Sequence, residues 1–289
     1  MLTQTLPSEY GDWAMSLVSL QHVYTHTEQN RMSEYPSSFA ELATGARLHY
    51  VDTGAVDGGS DVPVVAIHGL VGTAATQLAT VMDWLRPNYR VIGPSLRGYG
   101  QSTPKPRQFP PNFYHIDADD VLALLNVLDI PKAHILGYSD GGEAALLFAG
   151  KYPERVQSVA VWGAVGYYGP AMRPVAQNTY PGDWMTEAEK ALHGIDDPAH
   201  FTLEWVQAVR FIIDSGGDLS LSLIKNCTAP VLLMLGDQDT LNPADYARKI
   251  ADNAPNGRVA MFGCGHAVHT ESQAEFEQTV GEFLRTAES

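Results

Sequence analysis

The run Ala133-His134-Ile135-Leu136-Gly137-Tyr138-Ser139-Asp140-Gly141-Gly142, continued by Glu143-Ala144-Ala145-Leu146-Leu147-Phe148-Ala149, sets the reading of the whole chain. An apolar stretch of strand character leads to a serine with a glycine two residues away on each side, and a helix-forming segment follows. This is the G-x-S-x-G pattern of a nucleophile elbow, a tight strand-to-helix turn that exposes a serine hydroxyl. The glycines are required because the serine backbone is strained and side chains two residues away would collide. The helix behind the turn aims its free N–H groups at the place where an oxyanion would form.

Upstream of the elbow, 62–67 is a short continuous apolar run, the signature of a strand buried on both faces. It ends in His68-Gly69-Leu70-Val71-Gly72, and a second buried strand over 89–93 precedes Leu96-Arg97-Gly98-Tyr99-Gly100-Gln101-Ser102. Segments 37–43 and 47–51 read as a hairpin around Thr44-Gly45-Ala46. Apolar residues at helical spacing predict a helix over 116–128, with Asp117, Asp119 and Asp120 suited to the positive end of its dipole. Downstream, strands are expected over 156–162, 231–235 and 259–262, and helices over 243–251 and 274–284. Such alternation predicts an α/β fold with a mostly parallel, doubly wound sheet.

The rhythm breaks over 164–224, where Pro170, Pro174, Pro181 and Pro198 occur among aromatics and helical patches at 187–192 and 203–213. This segment is expected to be a helical insertion over the core, a lid. The domain reading is an N-terminal extension over 1–36, either irregular or with a short helix at 14–23, a core of 37–163 and 225–289, and the insertion between them.

A serine hydroxyl needs a base, usually histidine, held by a carboxylate. After an elbow serine the partners follow in the order acid, then histidine. The loop Gly236-Asp237-Gln238-Asp239-Thr240-Leu241-Asn242-Pro243 carries two carboxylates beyond a predicted strand. Asp239, further out, is placed to turn back towards a histidine and is preferred; Asp237, nearer the strand, is as well suited to capping the turn. The last strand ends in Gly263-Cys264-Gly265-His266-Ala267-Val268-His269. His266, directly after the glycines, is the expected base, and His269 reads as a packing or surface residue. The two histidines lack a third ligand nearby, so no metal is expected. Two backbone donors are required for a tetrahedral oxyanion. Asp140, after the serine, supplies one N–H, and Leu70 is the best-placed second donor.

Counting 18 basic against 33 acidic residues gives a net charge of −15, spread along the 289 residues. Phosphate binding needs a basic face, so nucleic acid is an unexpected partner. Cys227 and Cys264 make no disulfide framework, the first thirty residues hold no Arg or Lys, and no run approaches a membrane span. The expectation is a cytoplasmic protein with no membrane association. Composition leaves the oligomeric state undetermined.

Asp140 has two readings from spacing alone, equally weighted. An acid in the first turn of a helix is stabilising by a few tenths to about 1 kcal/mol. Alternatively its carboxylate binds a cationic group on a ligand.

The Ser-Asp-Gly-Gly elbow, with Lys151-Tyr152-Pro153, Val161-Trp162-Gly163-Ala164, Arg97-Gly98-Tyr99-Gly100 and Arg107-Gln108-Phe109-Pro110, resembles the biphenyl-hydrolase-like (valacyclovir hydrolase) family of α/β hydrolases. The resemblance runs from about residue 37 to the end. It implies the α/β-hydrolase fold with a helical lid and a cofactor-free serine hydrolase acting on esters of α-amino acids. It also implies that Asp140 holds the substrate's ammonium group, which favours the second reading. The chain departs from the family at Pro94-Ser95, where such enzymes usually carry an Asp.

The expected reaction is hydrolysis of a small carboxylic ester through an acyl-enzyme on Ser139, with His266 as base and Asp239 as its orienting acid. Rivals with the same three residues are carbon–carbon bond, lactone or general carboxylester hydrolysis. A rival of another class is a non-catalytic small-molecule receptor on the same fold. Epoxide hydrolase and dehalogenase action need a carboxylate where Ser139 stands.

Overall fold

The computed structural model describes residues 35–289. The short helix read as one alternative over 14–23 and nearly all of the expected N-terminal extension lie outside the described residues.

Among the described residues one eight-stranded sheet runs in the order β1-β2-β4-β3-β5-β6-β7-β8. Its strands are β1 (Ser37–Glu41), β2 (Arg47–Asp52), β3 (Val64–Ile67), β4 (Val91–Pro94), β5 (Ala133–Tyr138), β6 (Val156–Trp162), β7 (Val231–Gly236) and β8 (Gly257–Phe262). β1 and β2 form the antiparallel hairpin, β2 meets β4 antiparallel, and every pairing from β4 onwards is parallel. The mostly parallel sheet is therefore as the sequence predicts.

Every residue of β3, β4, β5 and β7 is buried, which explains why these strands read as unbroken apolar runs. Alternate side chains serve opposite faces. Val65, Ile67, Ile135, Val159, Val161, Leu233 and Leu235 join one core cluster. Val64, Ala66, Leu136, Tyr138, Ala160, Trp162, Leu232 and Met234 join the other. Each fully buried branched side chain stabilises the fold by about 1.5–3 kcal/mol relative to exposure. β3 is shorter than its apolar run because Pro63 has no N–H to give to a ladder, although its carbonyl still accepts from His134 N–H at 2.9 Å.

The connecting helices are α1 (Ala74–Gln77), α2 (Ala79–Leu85), α3 (Phe113–Val127), α4 (Asp140–Lys151), α5 (Met172–Thr179), α6 (Glu187–His193), α7 (Pro198–Asp214), α8 (Ala244–Asn253), α9 (Val268–Glu271) and α10 (Gln273–Glu288). Residues of α3, α4 and α8 belong to the first cluster, and those of α2 and α10 to the second, so both faces of the sheet are covered. Between β6 and β7 the chain forms α5, α6 and α7 and contributes no strand to the sheet. α6 begins with a reciprocal capping box between Thr186 and Glu189 and ends on left-handed Gly194. α5 escaped the sequence reading because Pro174 interrupts its pattern, yet proline is tolerated in a first turn, where N–H groups have no intrahelical partner.

Candidate active site

Ser139 sits between β5 and α4 at φ 52° and ψ −123°, a left-handed conformation rare for a residue with a side chain. Its N–H donates to the Trp162 carbonyl at 2.9 Å, and its carbonyl accepts from Gly142 N–H at 2.8 Å. A Cβ on Gly141 would come within 2.3 Å of the Ile67 oxygen, and one on Gly137 within 2.4 Å of the Gly141 oxygen. The elbow therefore closes only with hydrogen at both positions.

Parallel strands bring their carboxyl ends to one edge, and the loops after β3, β5, β7 and β8 meet there. His266, after β8, has Nε2 at 3.1 Å from Ser139 Oγ and Nδ1 at 3.0 Å from Asp239 Oδ2. The partners assign the proton: Nδ1–H donates to the carboxylate, and Nε2 is left to accept from the hydroxyl. The Asp239 side chain is fully buried against His266, whereas Asp237 is exposed. Burial disfavours a charged imidazole here, but the charge and hydrogen bond of Asp239 outweigh it and hold His266 above its ordinary range. Burial likewise opposes ionisation of Asp239, and the His266, Asn242 and Leu241 contacts overcome it and keep the carboxyl low.

Leu70 and Asp140 both line the cavity that Ser139 faces. The Asp140 N–H is the first of α4 and has no intrahelical acceptor. Next to Leu70, Val71 holds φ 52°, so strain accumulates on both sides of the cavity mouth. His68 is buried and pushed down to about 3 by desolvation, hence neutral. Its Nε2 accepts from Leu96 N–H at 2.9 Å and its Nδ1–H donates to the Gly69 carbonyl at 2.8 Å. Support for this loop thus reaches it from the backbone beside Ser95. Ser95 itself is tied by its N–H to the His49 carbonyl at 2.8 Å and by its carbonyl to the Ser102 hydroxyl at 2.6 Å.

The cavity, about 130 Å³, is walled by Leu70, Tyr168, Met172, Val175, Trp184 and Trp205. Asp140 is a half-buried carboxylate of its lining. Its Oδ1 accepts from the Tyr114 hydroxyl at 2.7 Å and its Oδ2 from the Trp205 indole N–H at 3.0 Å. Burial pushes this carboxyl up to about 6, against the pull of those two donors. Glu189 is the other lining carboxylate, and neither Arg nor Lys is among the described lining residues.

His269 also lines the cavity, but its ring nitrogens are engaged away from Ser139 and Asp239. It is buried between the Trp162 indole N–H, 2.9 Å from its Nδ1, and the Gln77 carbonyl, 3.1 Å from its Nε2. No group of three or more metal-ligating side chains occurs among the described residues.

Sequence reasoning missed Tyr114, Trp205, Asn242, Gln77 and Glu143. Asn242 Nδ2 donates to Asp239 Oδ2 at 3.1 Å and to the Gly163 carbonyl at 3.0 Å. Glu143 accepts from the Val165 and Gly166 N–H groups, both at 2.8 Å, and so joins the elbow helix to the chain leaving β6. Asn242 lies three residues past Asp239, a spacing that was available as a signal; Tyr114, Trp205 and Glu143 depend on contacts remote in sequence, and Gln77 on how the loop just before it folds back.

Residues 62–197 match the α/β hydrolase fold family. Human Serine hydrolase BPHL is 30% identical over 248 residues, covering 83% of this chain and 84% of that protein. This chain is an α/β hydrolase. With BPHL it belongs to the serine hydrolases of that fold. The 2-hydroxy-6-oxononadienedioate/2-hydroxy-6-oxononatrienedioate hydrolase of Burkholderia vietnamiensis is 29% identical over 296 residues, covering 90% of this α/β hydrolase and 98% of the relative. Among solved structures, a thermophilic esterase from Thermogutta terrifontis superposes with a TM-score of 0.66 at 22% identity, covering 88% of this chain and all of that one, a likeness of fold.

Proposed function

We propose that this α/β hydrolase cleaves small carboxylic esters bearing an amine near the carbonyl. Ser139 Oγ attacks the carbonyl carbon as its proton passes to His266 Nε2, and the Leu70 and Asp140 amides receive the oxyanion. His266 then protonates the departing alcohol, leaving an acyl-enzyme. Water gives a proton to the same nitrogen and attacks the acyl carbon; His266 then returns that proton to Ser139 Oγ as the acyl–oxygen bond breaks and the acid leaves. No cofactor is needed for these steps. Asp239 keeps the imidazole oriented and offsets its positive charge. Helices α5–α7 act as the lid that walls the substrate off from water.

The observation that carries the substrate class is the charge of the cavity. Its carboxylates are Asp140 and Glu189, with no Arg or Lys among the described lining residues. An ammonium group beside Asp140 would be attracted and would favour the ionised carboxyl. The Burkholderia relative is named for a dioate. A second carboxylate brought into this cavity would meet Asp140 and Glu189 and no Arg or Lys among the described lining residues, which weighs against carbon–carbon cleavage of such diacids here. Cys227 and Cys264 are free and buried, in keeping with a reducing, cytoplasmic setting.

The test compares Ser139→Ala and Asp140→Asn on amino-acyl esters and on the same esters lacking the amine. Ser139→Ala is expected to cut kcat on both by on the order of 10⁴–10⁶-fold. Asp140→Asn should raise KM for the amino esters about tenfold to a hundredfold and leave the others near wild type. Equal losses on both sets would remove the amine-binding role and leave the nucleophile in place.

A further inference from the structure

Gln77, the last residue of the short helix α1, has a side chain that reaches back over the loop after β3. Its Oε1 accepts from the Gly69 N–H at 2.8 Å, and its Nε2 donates to the Leu70 carbonyl at 3.1 Å. A side-chain amide has one acceptor and one pair of donors, and here both ends are used on consecutive residues. Those two bonds fix the 68–69 and 70–71 peptide groups, and so bracket the peptide between them that carries the Leu70 N–H. Val71, next in line, is in a left-handed conformation at φ 52°.

Three further observations bear on Gln77. A Cβ on Gly72 would stand 2.2 Å from Gln77 Oε1 and Cδ, so the loop keeps hydrogen at residue 72 where the amide lies. The Gln77 side chain also lines the cavity with Ser139 and Leu70. Finally, the Gln77 carbonyl accepts from His269 Nε2 at 3.1 Å, and His269 Nδ1 accepts from the Trp162 indole at 2.9 Å. This places a neutral His269 between them, Nε2–H donating and Nδ1 accepting. The Trp162 carbonyl in turn accepts the N–H of Ser139 at 2.9 Å. One chain of hydrogen bonds therefore joins the elbow, through Trp162, His269 and Gln77, to the loop carrying Leu70.

We propose that Gln77 is a positioning residue that sets the Leu70 N–H for the oxyanion, and that His269 and Trp162 register this loop against the Ser139 elbow. The proposal rests on the oxyanion role given to Leu70 in the preceding section. Gln77 touches neither the nucleophile nor the base in this network; it acts through the backbone of residues 69 and 70. Its effect belongs to the state in which the carbonyl oxygen has become an anion, because a donor placed for that position is worth little to the ground-state ester.

The experiment uses Gln77→Met, which keeps the length and loses both hydrogen bonds, and Gln77→Glu, which keeps the acceptor and sets a negative charge against the Leu70 carbonyl. Steady-state kinetics on one ester are combined with the inhibition constant of a boronic acid, which forms a tetrahedral anion on the serine. Both variants are expected to lower kcat by about tenfold to a hundredfold with KM within about twofold, and to weaken the boronic acid by the same factor as kcat/KM. Trp162→Phe, which removes the indole donor to His269, should move both quantities in the same direction by a smaller factor. A kcat within about threefold of wild type in both Gln77 variants would overturn the proposal. So would a fall in kcat with unchanged boronic acid inhibition, the mark of general loosening. If wild-type protein neither turns over esters nor binds the boronic acid, the hydrolytic reading fails first and takes this one with it, an outcome distinct from an active enzyme indifferent to residue 77.

Discussion

His266 lies between a hydroxyl at 3.1 Å and a carboxylate at 3.0 Å, and its protonation state decides when the proposed reaction can start. Only the neutral ring can take a proton from Ser139. Asp239 holds the imidazole above the usual 6.5 despite burial, so the charged form persists to higher pH than for a free histidine. On these signs kcat/KM should fall as pH drops, with its midpoint above about 6.5. Asp239→Asn removes the stabilising charge, so the limb should move to lower pH while kcat falls by roughly 10⁴-fold. A pH–rate profile of both proteins checks the two shifts together; a limb that stays in place would disconnect Asp239 from the titrating group. At this scale the sequence is legible wherever a residue ends a buried strand. Ser139, Asp239 and His266 each follow an apolar run by a few positions, and parallel pairing alone brings those ends together. Tyr114 and Trp205 were not legible, because their distances to Asp140 depend on how α3 and α7 pack, and no local pattern encodes that.

The helices and loops around the site are held by buried polar contacts as well as by apolar burial. Arg107, in the loop before α3, makes a two-point pair with Asp117 of that helix at 2.7 and 2.6 Å and also donates to the Arg97 carbonyl at 3.0 Å. Both side chains are almost fully buried, at 4% and 2% exposure. Removing one partner leaves a charge in a dry interior, so Arg107→Met is expected to destabilise the protein by about 3–5 kcal/mol in urea unfolding. Arg107→Met with Asp117→Leu should recover most of that loss, and a double variant no better than the single one would show that the charge was not the cause. Position alone predicts a dipole role for Asp117, whereas the structure gives it Arg107 as a partner. The helix starts at Phe113, so Asp117 lies past its first turn, where the dipole has little hold. The strands were legible because burial on both faces leaves a continuous apolar run; α1, α2 and α5 were not, being short or interrupted by proline.

Across the whole molecule the net charge is −15, and the stretch 164–224 carries eight acidic residues against Arg173, Lys190 and Arg210. Among the described residues no helix is long and apolar enough to cross a membrane. A field of one sign attracts cations from solution, and salt weakens it as the Debye length falls from about 30 Å at 0.01 M to about 3 Å at 1 M. Accordingly kcat/KM for an ester carrying an ammonium group should drop severalfold across that range, while its uncharged analogue changes little. Parallel changes for both substrates would remove long-range attraction from the account.

The chain leaves the sheet after Trp162 and rejoins it at Val231, two strands that are direct neighbours. The indole that grips the Asp140 carboxylate is written in this detour, while the hydroxyl and imidazole are written outside it. Exchange of that one cassette between kindred proteins would therefore retune which molecules are accepted without disturbing the proton relay beneath.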